Sequence, residues 1–470
     1  MLAVENVLFP IVVKFNEYLS NYILVFLLIG IGLWYSIKTR FVQIRCFFEG
    51  FKNLFCTSKN SENKSEKSMS SFQALSTAIA GQVGTGNIIG ASGAILIGGP
   101  GVLFWMWVIA FLGMATIYAE ASLALKTRSI DSDGNIKGGP VYYITTAFKG
   151  TFGKFLSNFF AVACILALGF MGCMVQANSI SNSLQEAFKI PSWQVGVALV
   201  IVCSFIYIGG IKRLASVVEK IVPLMSIFFI IGAICILIIR IEHIPEAFYL
   251  IFKYAFHPQA ILGGGFWYAI STTISQGAKR GLFSNEAGMG STPHAHALAQ
   301  NKTPHEQGTV AIIGVFVDTF VILTLNALVI ISTLYTSGDI LANGYTGAVI
   351  EILNKTNLVQ SAFSSVFDSS IGAMFVAICL VFFAFSTILS WNLFGKINAL
   401  YLFKNKKPKM VIFVYSLITL GFAMLGSIIS SDFVWELTDM FNNLIVIPNV
   451  IALFALTNLV LSCMKNKNSI

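Results

Sequence analysis

The chain has 470 residues, of which 56% are hydrophobic and 11% are charged, and its mean hydropathy is +0.79. Because average soluble domains carry about 25% charged residues, this composition excludes a soluble globular enzyme and predicts an all-α polytopic membrane protein. The net charge of +9 arises from Lys and Arg in the predicted loops, so it gives no indication of nucleic-acid binding.

Eleven apolar segments are long enough to cross a bilayer, which requires about 20 residues of helix. A leading segment, 20–37, is followed by the polar stretch 57–70, which has few apolar residues and is predicted to be flexible. The ten later segments are predicted at 71–98, 102–125, 155–177, 193–211, 221–239, 265–299, 309–334, 370–395, 410–429 and 443–463.

The distribution of Lys and Arg predicts the orientation in the membrane. If the 38–67 loop is cytoplasmic, alternation of the spans places most of the 30 basic residues on the cytoplasmic side. Such enrichment is typical of the cytoplasmic loops of membrane proteins. We therefore expect a multi-pass protein in the lipid bilayer of the cell (cytoplasmic) membrane, with its N-terminus outside and its C-terminus in the cytoplasm.

The sequence contains no pattern typical of an enzyme or of a transition-metal site. Its eight cysteines are scattered without a C-x-x-C pair and are predicted to be small packing residues. His294 and His296 form H-x-H, but residues two apart do not share a helix face and no cysteine cluster accompanies them. The sequence also lacks a phosphate-binding loop, so we expect neither ATP-driven pumping nor an organic cofactor.

The ten segments after the polar stretch divide into two sets of five. Because five is odd, the second set crosses the membrane in the opposite direction to the first, which is the inverted-repeat plan of many transporters. We predict a leading helix and loop (1–70), a first repeat (71–240), an outer connecting segment (241–262) and a second repeat with a short tail (263–470). In such folds the binding site lies between the repeats, near the bilayer midplane.

The first span of each repeat carries a glycine-rich interruption, QVGTGN at 82–87 and SQGAKRGLFSNEAGMG at 275–290. Each glycine costs about 1 kcal/mol relative to alanine in a helix, so both segments are predicted to unwind. Unwound backbone groups must meet a cavity or a ligand in the membrane: freed carbonyls suit Na⁺, and freed amides suit a carboxylate. The spacing Gly86-x-x-x-Gly90 also fits close helix packing, although we favour a binding role for 84–87.

Several of these motifs are found together in one family. They are VGTGNIIG (83–90), GGPGVLFWMWVIAFLGMATIYAEASLALKTR (98–128), MVQANS (174–179), GAKRGLFSNEAGMGSTPHAHA (277–297) and AFSTILSW (384–391). In these motifs the chain closely resembles the alanine or glycine:cation symporter family. The resemblance implies a LeuT-type fold of five plus five inverted helices, with the first and sixth core helices broken and one extra leading helix. It also implies transport of a small neutral amino acid with Na⁺, sometimes with H⁺.

The resemblance further implies a Na⁺ site between the first and eighth core helices. The carbonyl groups of Ala80 and Val83 would bind the ion together with the carbonyl group of Phe383 and the hydroxyl groups of Ser386 and Thr387. The last three residues have the i, i+3, i+4 spacing of one helix face. Alternatively, the two hydroxyls form ordinary hydrogen bonds to carbonyls of their own helix.

The same resemblance places the amino acid at the two interruptions. Its carboxylate would meet Gly84, Thr85 and Gly86, and Asn87 would add a side-chain oxygen for the substrate or for a second ion. Its amino group would meet a second set of residues, namely Ser275, Gln276 and Gly277. The pocket walls would include Phe170, Met174, Gln176 and Trp391, although plain packing is an equally open role for Phe170 and Met174. Members of the family often have Asn where this chain has Cys173, and a difference in selectivity is expected if that Asn touches the substrate.

Ionisable residues within the apolar spans are further candidates for function. Asp318 lies in the middle of a span and would relay a proton, balance a cation or bond to a neighbouring helix. Glu120 lies near the cytoplasmic end of its span, and Lys279, Arg280 and Glu286 flank the second interruption. Pairing among these four residues would form an inner gate or a static structural contact.

Together these features predict a secondary active transporter that imports alanine, glycine or both with Na⁺ by alternating access. A glutamine-selective or proton-coupled carrier is the main alternative, and a channel or receptor is a more distant one. The sequence leaves open the exact amino acid, the D/L preference, the stoichiometry and the oligomeric state.

Overall fold

The computed structural model describes residues 2–55, 68–130, 136–257, 266–301, 303–342, 353–429 and 431–465. Helices make up nearly all of this part of the chain. Two short strands, β1 (Ser129–Ile130) and β2 (Ile136–Lys137), pair antiparallel with Ser129 opposite Lys137. The predicted flexible stretch at 57–70 lies mostly outside the described residues.

The first half of the chain contains a leading segment of four helices and seven further helices. The leading segment comprises α1 (Leu2–Tyr18), α2 (Val25–Lys38), α3 (Val42–Arg45) and α4 (Phe47–Phe55). It is followed by α5 (Ser71–Gln82), α6 (Gly86–Gly98), α7 (Val102–Lys126), α8 (Pro140–Ala147), α9 (Gly150–Phe188), α10 (Ser192–Ile208) and α11 (Gly210–Ile239).

A connecting helix, α12 (Ile244–Phe256), leads to the second half. This half comprises α13 (Phe266–Asn285), α14 (Pro293–Ala297), α15 (Pro304–Leu334), α16 (Leu358–Ser364), α17 (Ser369–Leu402), α18 (Pro408–Ile428), α19 (Ser431–Ala455) and α20 (Thr457–Lys465). The helices α6, α9 and α15 contain π-helical turns at Gly86–Gly90, Ile165–Gly172 and Phe316–Leu323.

Within the described residues, seven helices are long and apolar enough to cross a membrane. They are α7, α9, α11, α15, α17, α18 and α19. Three of the four remaining predicted spans contain shorter apolar helices, namely α2 (Val25–Lys38), α6 (Gly86–Gly98) and α10 (Ser192–Ile208). The fourth, 265–299, contains α13, which is 20 residues long and ends at the second break. The multi-pass character is thus confirmed, while the predicted repeat boundaries stay a prediction.

The last predicted span, 443–463, is displaced. Helix α19 begins at Ser431 and ends at Ala455, and α20 follows separately. The predicted span begins 12 residues after the helix does, because Asp432, Glu436 and Asp439 lower the hydropathy of the first turns of α19. Asp439 is nevertheless buried, with ion-pair partners on α13.

The first break lies where the sequence predicts it. Helix α5 starts with a capping box between Ser70 and Gln73 and ends at Gln82. Val83 has φ −81° and ψ 85°, which is not helical, and the chain becomes helical again at Thr85. The interruption is therefore confirmed, and it is shorter than the predicted 82–87.

The second break occupies only the end of the predicted stretch 275–290. Helix α13 is continuous through Ser275, Gln276 and Gly277 and ends at Asn285, so the prediction that these three residues unwind is wrong. The chain leaves the helix at Glu286 (φ 57°) and turns through Gly288 (φ 94°) before α14 begins at Pro293. This left-handed backbone is the conformation that glycine adopts without strain.

The earlier glycines of the stretch serve helix packing instead. A Cβ at Gly277 would lie 2.6 Å from Trp105 Cβ on α7, and one at Gly281 would lie 3.4 Å from Ile109 Cγ2 on the same helix. Two small residues four positions apart let α13 and α7 approach closely. A packing glycine and an unwinding glycine look the same in a sequence, which explains the misplaced break.

Candidate functional site

The end of α5 exposes a backbone carbonyl that a continuous helix would have used. In a continuous helix, the Gly84 amide would donate to the Ala80 carbonyl. Here the Gly84 N–H instead donates to Gln82 O (3.0 Å) and to Asn87 Oδ1 (3.2 Å). The Ala80 carbonyl is thereby released, and it accepts a hydrogen bond from Thr387 Oγ1 of α17 at 2.7 Å. The break thus directs a carbonyl oxygen towards another helix.

Three of the five predicted Na⁺ ligands converge at this point. Thr387 Oγ1 lies 2.7 Å from Ala80 O and 3.0 Å from Phe383 O, and all three residues are buried. Such carbonyl and hydroxyl oxygens are the donors that hard cations prefer. Val83 lies in the break itself. Ser386 donates to Phe383 O of its own helix at 2.9 Å, which is the alternative that the sequence left open for this hydroxyl, and it also lies 3.4 Å from Met225 Sδ of α11.

Gly84 allows α17 to approach the break closely. A Cβ at this position would lie 2.5 Å from Thr387 Oγ1 and 3.3 Å from Gln176 Oε1. Gln176 Oε1 also accepts from the Thr85 amide at 3.3 Å. Thr85 Oγ1 and Gln176 Nε2 are buried without a hydrogen-bond partner among the described residues. Because buried polar atoms are nearly always satisfied, these two atoms fit a polar ligand at the break.

The two breaks are in direct contact with each other. Gln82 Nε2, at the end of α5, donates to the carbonyl of Asn285, at the end of α13, at 2.8 Å. A Cβ at Gly86 would lie 2.8 Å from the ring of Phe283. The interrupted ends of the two helices therefore lie side by side, as the sequence predicts for a site shared by two discontinuous helices.

Asp318 of α15 joins both interrupted helices. Its Oδ1 accepts from Asn87 Nδ2 at 2.7 Å, while its Oδ2 accepts from the hydroxyls of Ser284 and Thr319, both at 2.8 Å. The Asn87 amide group is thus committed to Asp318 on one side and to the Gly84 amide on the other. Asp318 holds Asn87 in the orientation that caps the break, which favours the structural alternative of its predicted roles.

The second break is held by two buried carboxyl groups. Glu286 Oε1 accepts from Trp391 Nε1 at 2.5 Å, and its other oxygen accepts from Ser291 Oγ. Glu120 Oε1 accepts from Asn449 Nδ2 at 2.5 Å, and its Oε2 accepts from the Gly288 amide at 3.3 Å. Asn449 also donates to the Gly288 carbonyl at 2.9 Å.

Trp391 lies between the two breaks. Its Nε1 lies 3.5 Å from a Cβ built at Gly81 on α5, and its ring lies 2.5 Å from a Cβ built at Gly172 on α9. Trp391 also meets the ring of Phe283 edge-on at 6.0 Å. Trp391 therefore contacts both broken helices, and its role as a pocket wall stays a prediction.

Phe170 and Met174, by contrast, pack against α18. The ring of Phe170 stacks on Phe422 at 4.8 Å, nearly parallel, and the backbone of Met174 contacts Gly426 directly. Both neighbours belong to α18, so the packing alternative accounts for these two residues. Ser275, Gln276 and Gly277 lie two to three turns before the break, on the helical part of α13.

The predicted pairing of Arg280 with Glu120 or Glu286 is wrong. Arg280 Nη1 donates to Asp439 Oδ1 of α19 at 3.0 Å, and its Nη2 forms an ion-pair contact with Oδ2, also at 3.0 Å. Lys279 Nζ lies 2.8 Å from the same Oδ2. The Arg280 guanidinium also lies 5.1 Å from the ring of Trp435. Its side chain lies 3.7 Å from a Cβ built at Gly90, on the α6 side of the first break. Under the predicted orientation this is the outer side of the membrane.

Sequence reasoning missed Asn449, Asp439 and Ser284, which complete these contacts. A usable signal is present in α19, where Asp439, Asn442, Asn443 and Asn449 are polar residues within a helix that is long and apolar enough to cross the membrane. Polar residues inside a membrane span mark contacts within the bundle.

The model of the sodium:alanine symporter family matches residues 5–469. A relative named sodium/alanine symporter AgcS, from Methanococcus maripaludis, is 37% identical over 456 residues, covering 97% of this chain and 96% of the relative. A relative from Bacillus subtilis that carries the name "Probable sodium/glutamine symporter GlnT" is 34% identical over 464 residues, covering 98% and 91%.

Among solved structures, the chain is similar to that of MhsT in complex with L-phenylalanine, with a TM-score of 0.57 and 15% identity. The match covers 84% of this chain and 99% of MhsT. At this level of identity the likeness shows the fold alone, which is that of the LeuT-type transporters, as the sequence predicts.

Proposed function

The chain belongs to the sodium:alanine symporter family, and on this premise we propose that it imports alanine, glycine or both together with Na⁺. It is a transporter of the multi-pass membrane class rather than an enzyme. The observation that carries the proposal is the contact between the two breaks, in which Gln82 bonds to Asn285 while the Ala80 carbonyl is released towards Thr387.

The proposed Na⁺ ligands are the oxygens that the first break releases, together with those of α17. Ala80 O, Phe383 O and Thr387 Oγ1 are supported by their mutual distances of 2.7 and 3.0 Å. Val83 O and Ser386 Oγ complete the set as the resemblance implies. An ion held by α5 and α17 would link the first broken helix to the helix that it has to move against during alternating access.

The proposed amino-acid site adjoins this ion at Gly84, Thr85 and Gly86. Thr85 Oγ1 and Gln176 Nε2, which have no hydrogen-bond partner in the described part of the chain, would bond to the substrate carboxylate. A carboxylate also suits the start of the α6 half-helix, where amides point towards the break and the dipole is positive. A single break would thus bind the cation and the zwitterion side by side.

Two aromatic residues support a small substrate over glutamine. The ring of Phe283 lies against Gly86, and the indole of Trp391 lies against Gly81 and Gly172. These rings occupy the space next to the break into which a longer side chain would extend. Glutamine remains the alternative substrate, as in the name of the Bacillus subtilis relative.

The energetics allow one Na⁺ per amino acid. A potential of 100 mV supplies about 2.3 kcal/mol for one inward charge, and a tenfold Na⁺ gradient adds about 1.4 kcal/mol. Together they support accumulation of the order of several hundredfold. Proton coupling is the alternative, because the buried carboxyl groups of Glu120, Glu286 and Asp318 have only uncharged hydrogen-bond partners among the described residues.

Uptake by proteoliposomes tests the proposal. We expect labelled alanine or glycine to accumulate when an inward Na⁺ gradient is imposed, and uptake to stop when choline replaces Na⁺ at fixed pH. An inward proton gradient without Na⁺ should drive none. Uptake driven by the proton gradient without Na⁺ would support the proton-coupled alternative. Accumulation of labelled glutamine that unlabelled alanine does not inhibit would support the glutamine-selective alternative.

The ion site has its own test in the variant Thr387→Ala. Loss of this hydroxyl should raise the Na⁺ concentration needed for half-maximal uptake by about tenfold, which corresponds to about 1.4 kcal/mol. The matched control is Thr419→Ala on α18. Thr419 is also buried and, like Thr387, donates to a carbonyl of its own helix, Tyr415 O, at 3.0 Å, whereas Thr387 donates in addition to Ala80 O at the first break. An equal Na⁺ dependence in both variants would disprove the assignment.

A further inference from the structure

A second cluster of ligand-type side chains lies where the leading segment meets α15. Cys46 Sγ, a carboxylate oxygen of Glu49 and a ring nitrogen of His305 all lie within 4.8 Å of one another. Cys46 and Glu49 belong to the turn between α3 and α4 and to the start of α4, whereas His305 belongs to the first turn of α15. We propose that these three residues bind a divalent ion of the Zn²⁺ class.

The donor types select the ion. A thiolate, an imidazole nitrogen and a carboxylate oxygen are the three ligand types that Zn²⁺ takes in proteins. Hard ions such as Na⁺, Mg²⁺ and Ca²⁺ prefer oxygen ligands throughout, so the thiolate disfavours them. The cluster is therefore chemically distinct from the oxygen-lined site at the first break.

The geometry is close to what the ion requires. Bonds of about 2.0–2.3 Å in a tetrahedral arrangement place neighbouring ligand atoms about 3.5 Å apart. His305 Nε2 and Glu49 Oε1 are already 3.2 Å apart. The cysteine sulfur, within 4.8 Å of both ligand atoms, has to approach by about 1.3 Å at most to complete three of the four positions.

A neighbouring hydroxyl group orients the imidazole. Tyr118 Oη of α7 lies 2.7 Å from His305 Nδ1. When Nδ1 carries the proton and donates to Tyr118, the lone pair of Nε2 points towards Glu49 and the ion. Such outer contacts fix the ring of metal-binding histidines and strengthen their binding.

The cluster also has an entry path and space for a fourth ligand. The Glu49 side chain is 29% exposed, whereas that of His305 is 2% exposed. An ion from solvent would therefore reach Glu49 first and then the buried nitrogen and sulfur. A water molecule on the exposed side would complete the tetrahedron, as in zinc sites with three protein ligands.

Binding would fasten the leading segment to the core. Helix α4 already packs along α15, because a Cβ at Gly50 would overlap the Thr309 carbonyl oxygen and Asn53 Nδ2 donates to Thr309 Oγ1 at 2.9 Å. An ion bridging Glu49 and His305 would add a strong link to this interface. Because such an ion binds the folded chain and not the unfolded one, it should raise the melting temperature.

Cobalt substitution in the purified full-length protein tests the site. We expect Co²⁺ to bind one equivalent per chain, with a thiolate charge-transfer band and the visible bands of tetrahedral coordination, and Zn²⁺ to displace it. Cys46→Ser should abolish the charge-transfer band and the Zn²⁺-dependent rise in melting temperature. Tyr118→Phe should keep the band and weaken Zn²⁺ binding by about tenfold.

The matched control is Cys235→Ser, since Cys235 is exposed on α11, away from the cluster. This variant should bind Co²⁺ with the same spectrum as the unmodified protein. Should Cys46→Ser fail to fold, Glu49→Gln retains the thiol and should weaken Zn²⁺ binding by more than about tenfold. Absence of the thiolate band in the unmodified protein, or its persistence in Cys46→Ser, would overturn the proposal.

Discussion

Two groups of ionisable residues hold the breaks in place, and they do so by different means. On the α6 side, an ion-pair cluster joins Lys279 and Arg280 to Asp439, so charge meets opposite charge. On the α5 side, a carboxyl network holds Glu120 and Glu286 with uncharged donors, chiefly Asn449 and Trp391. Both groups connect the second broken helix to helices that do not take part in either break.

The difference predicts how each group responds to substitution. In the ion-pair cluster, each charge depends on an opposite charge, and removal of one leaves an uncompensated buried ion. In the carboxyl network, each contact is a hydrogen bond of ordinary net strength, so the loss of one donor leaves the others in place. We therefore expect a single substitution in the ion-pair cluster to cost more stability than a single substitution in the carboxyl network.

The largest effect is expected for Asp439→Asn. The change leaves Lys279 and Arg280, whose side chains are only 12% and 10% exposed, without their shared carboxylate. Breaking a buried ion pair costs about 3–5 kcal/mol, so the variant should lose most of its thermal stability in detergent and most of its uptake. Thermal unfolding and proteoliposome uptake measure the two effects.

The control for this prediction is Glu436→Gln. Glu436 lies 3.9 Å from Lys279 Nζ and is 23% exposed, so it is the weaker carboxylate partner on the same helix. Its loss should cost about 1 kcal/mol or less. If the two substitutions lowered stability equally, the burial of Asp439 would not explain its contribution. The proposed difference between the ion-pair cluster and the carboxyl network would then be wrong.

An intermediate effect is expected for Asn449→Ala in the carboxyl network. The substitution removes the donor to Glu120 Oε1 and to the Gly288 carbonyl, and it leaves those buried acceptors with fewer partners. Unsatisfied buried groups cost about 1–3 kcal/mol, so the melting temperature should fall by less than for Asp439→Asn. Thermal unfolding under identical conditions gives the comparison.

Asn442→Ala provides the matched control for Asn449. Both atoms of the Asn442 amide are buried without a partner among the described residues, so its removal breaks no bond there. The stability of this variant should be nearly unchanged. If Asn449→Ala is as well tolerated as Asn442→Ala, the carboxyl network does not hold the second break.

The carboxyl network also shows how far the sequence predicts the site. The first break was predicted because its cause is local: Gly84 and its neighbours interrupt the helix within a few residues. Thr387 and Trp391 were assigned by resemblance, and both lie at the breaks. The partners Asp439 and Asn449 were missed because contacts across 159 and 329 residues follow from the packing of whole helices.

The misplaced second break has a related cause. Gly277 and Gly288 are equivalent in a sequence, yet one contacts Trp105 on α7 and the other adopts φ 94° in the turn. Which role a glycine takes depends on the helix that lies opposite, and no local pattern specifies it. Cys46, Glu49 and His305 form no motif in the sequence for the same reason, since they come from two distant segments.

The smallest effect is expected for Lys355→Gln, at the solvent edge of the ion-pair cluster. Lys355 Nζ lies 2.6 Å from Asp432 Oδ1 and 5.5 Å from the ring of Trp435, but the two side chains of the ion pair are 27% and 68% exposed. Exposed ion pairs contribute about 0–1 kcal/mol, and salt screens them. The melting temperature should therefore fall only slightly at low salt, and the difference from the unmodified protein should vanish at high salt. If the melting temperature instead falls strongly and the fall persists at high salt, Lys355 is part of the buried ion-pair cluster. The cluster around Asp439 would then extend to the protein surface.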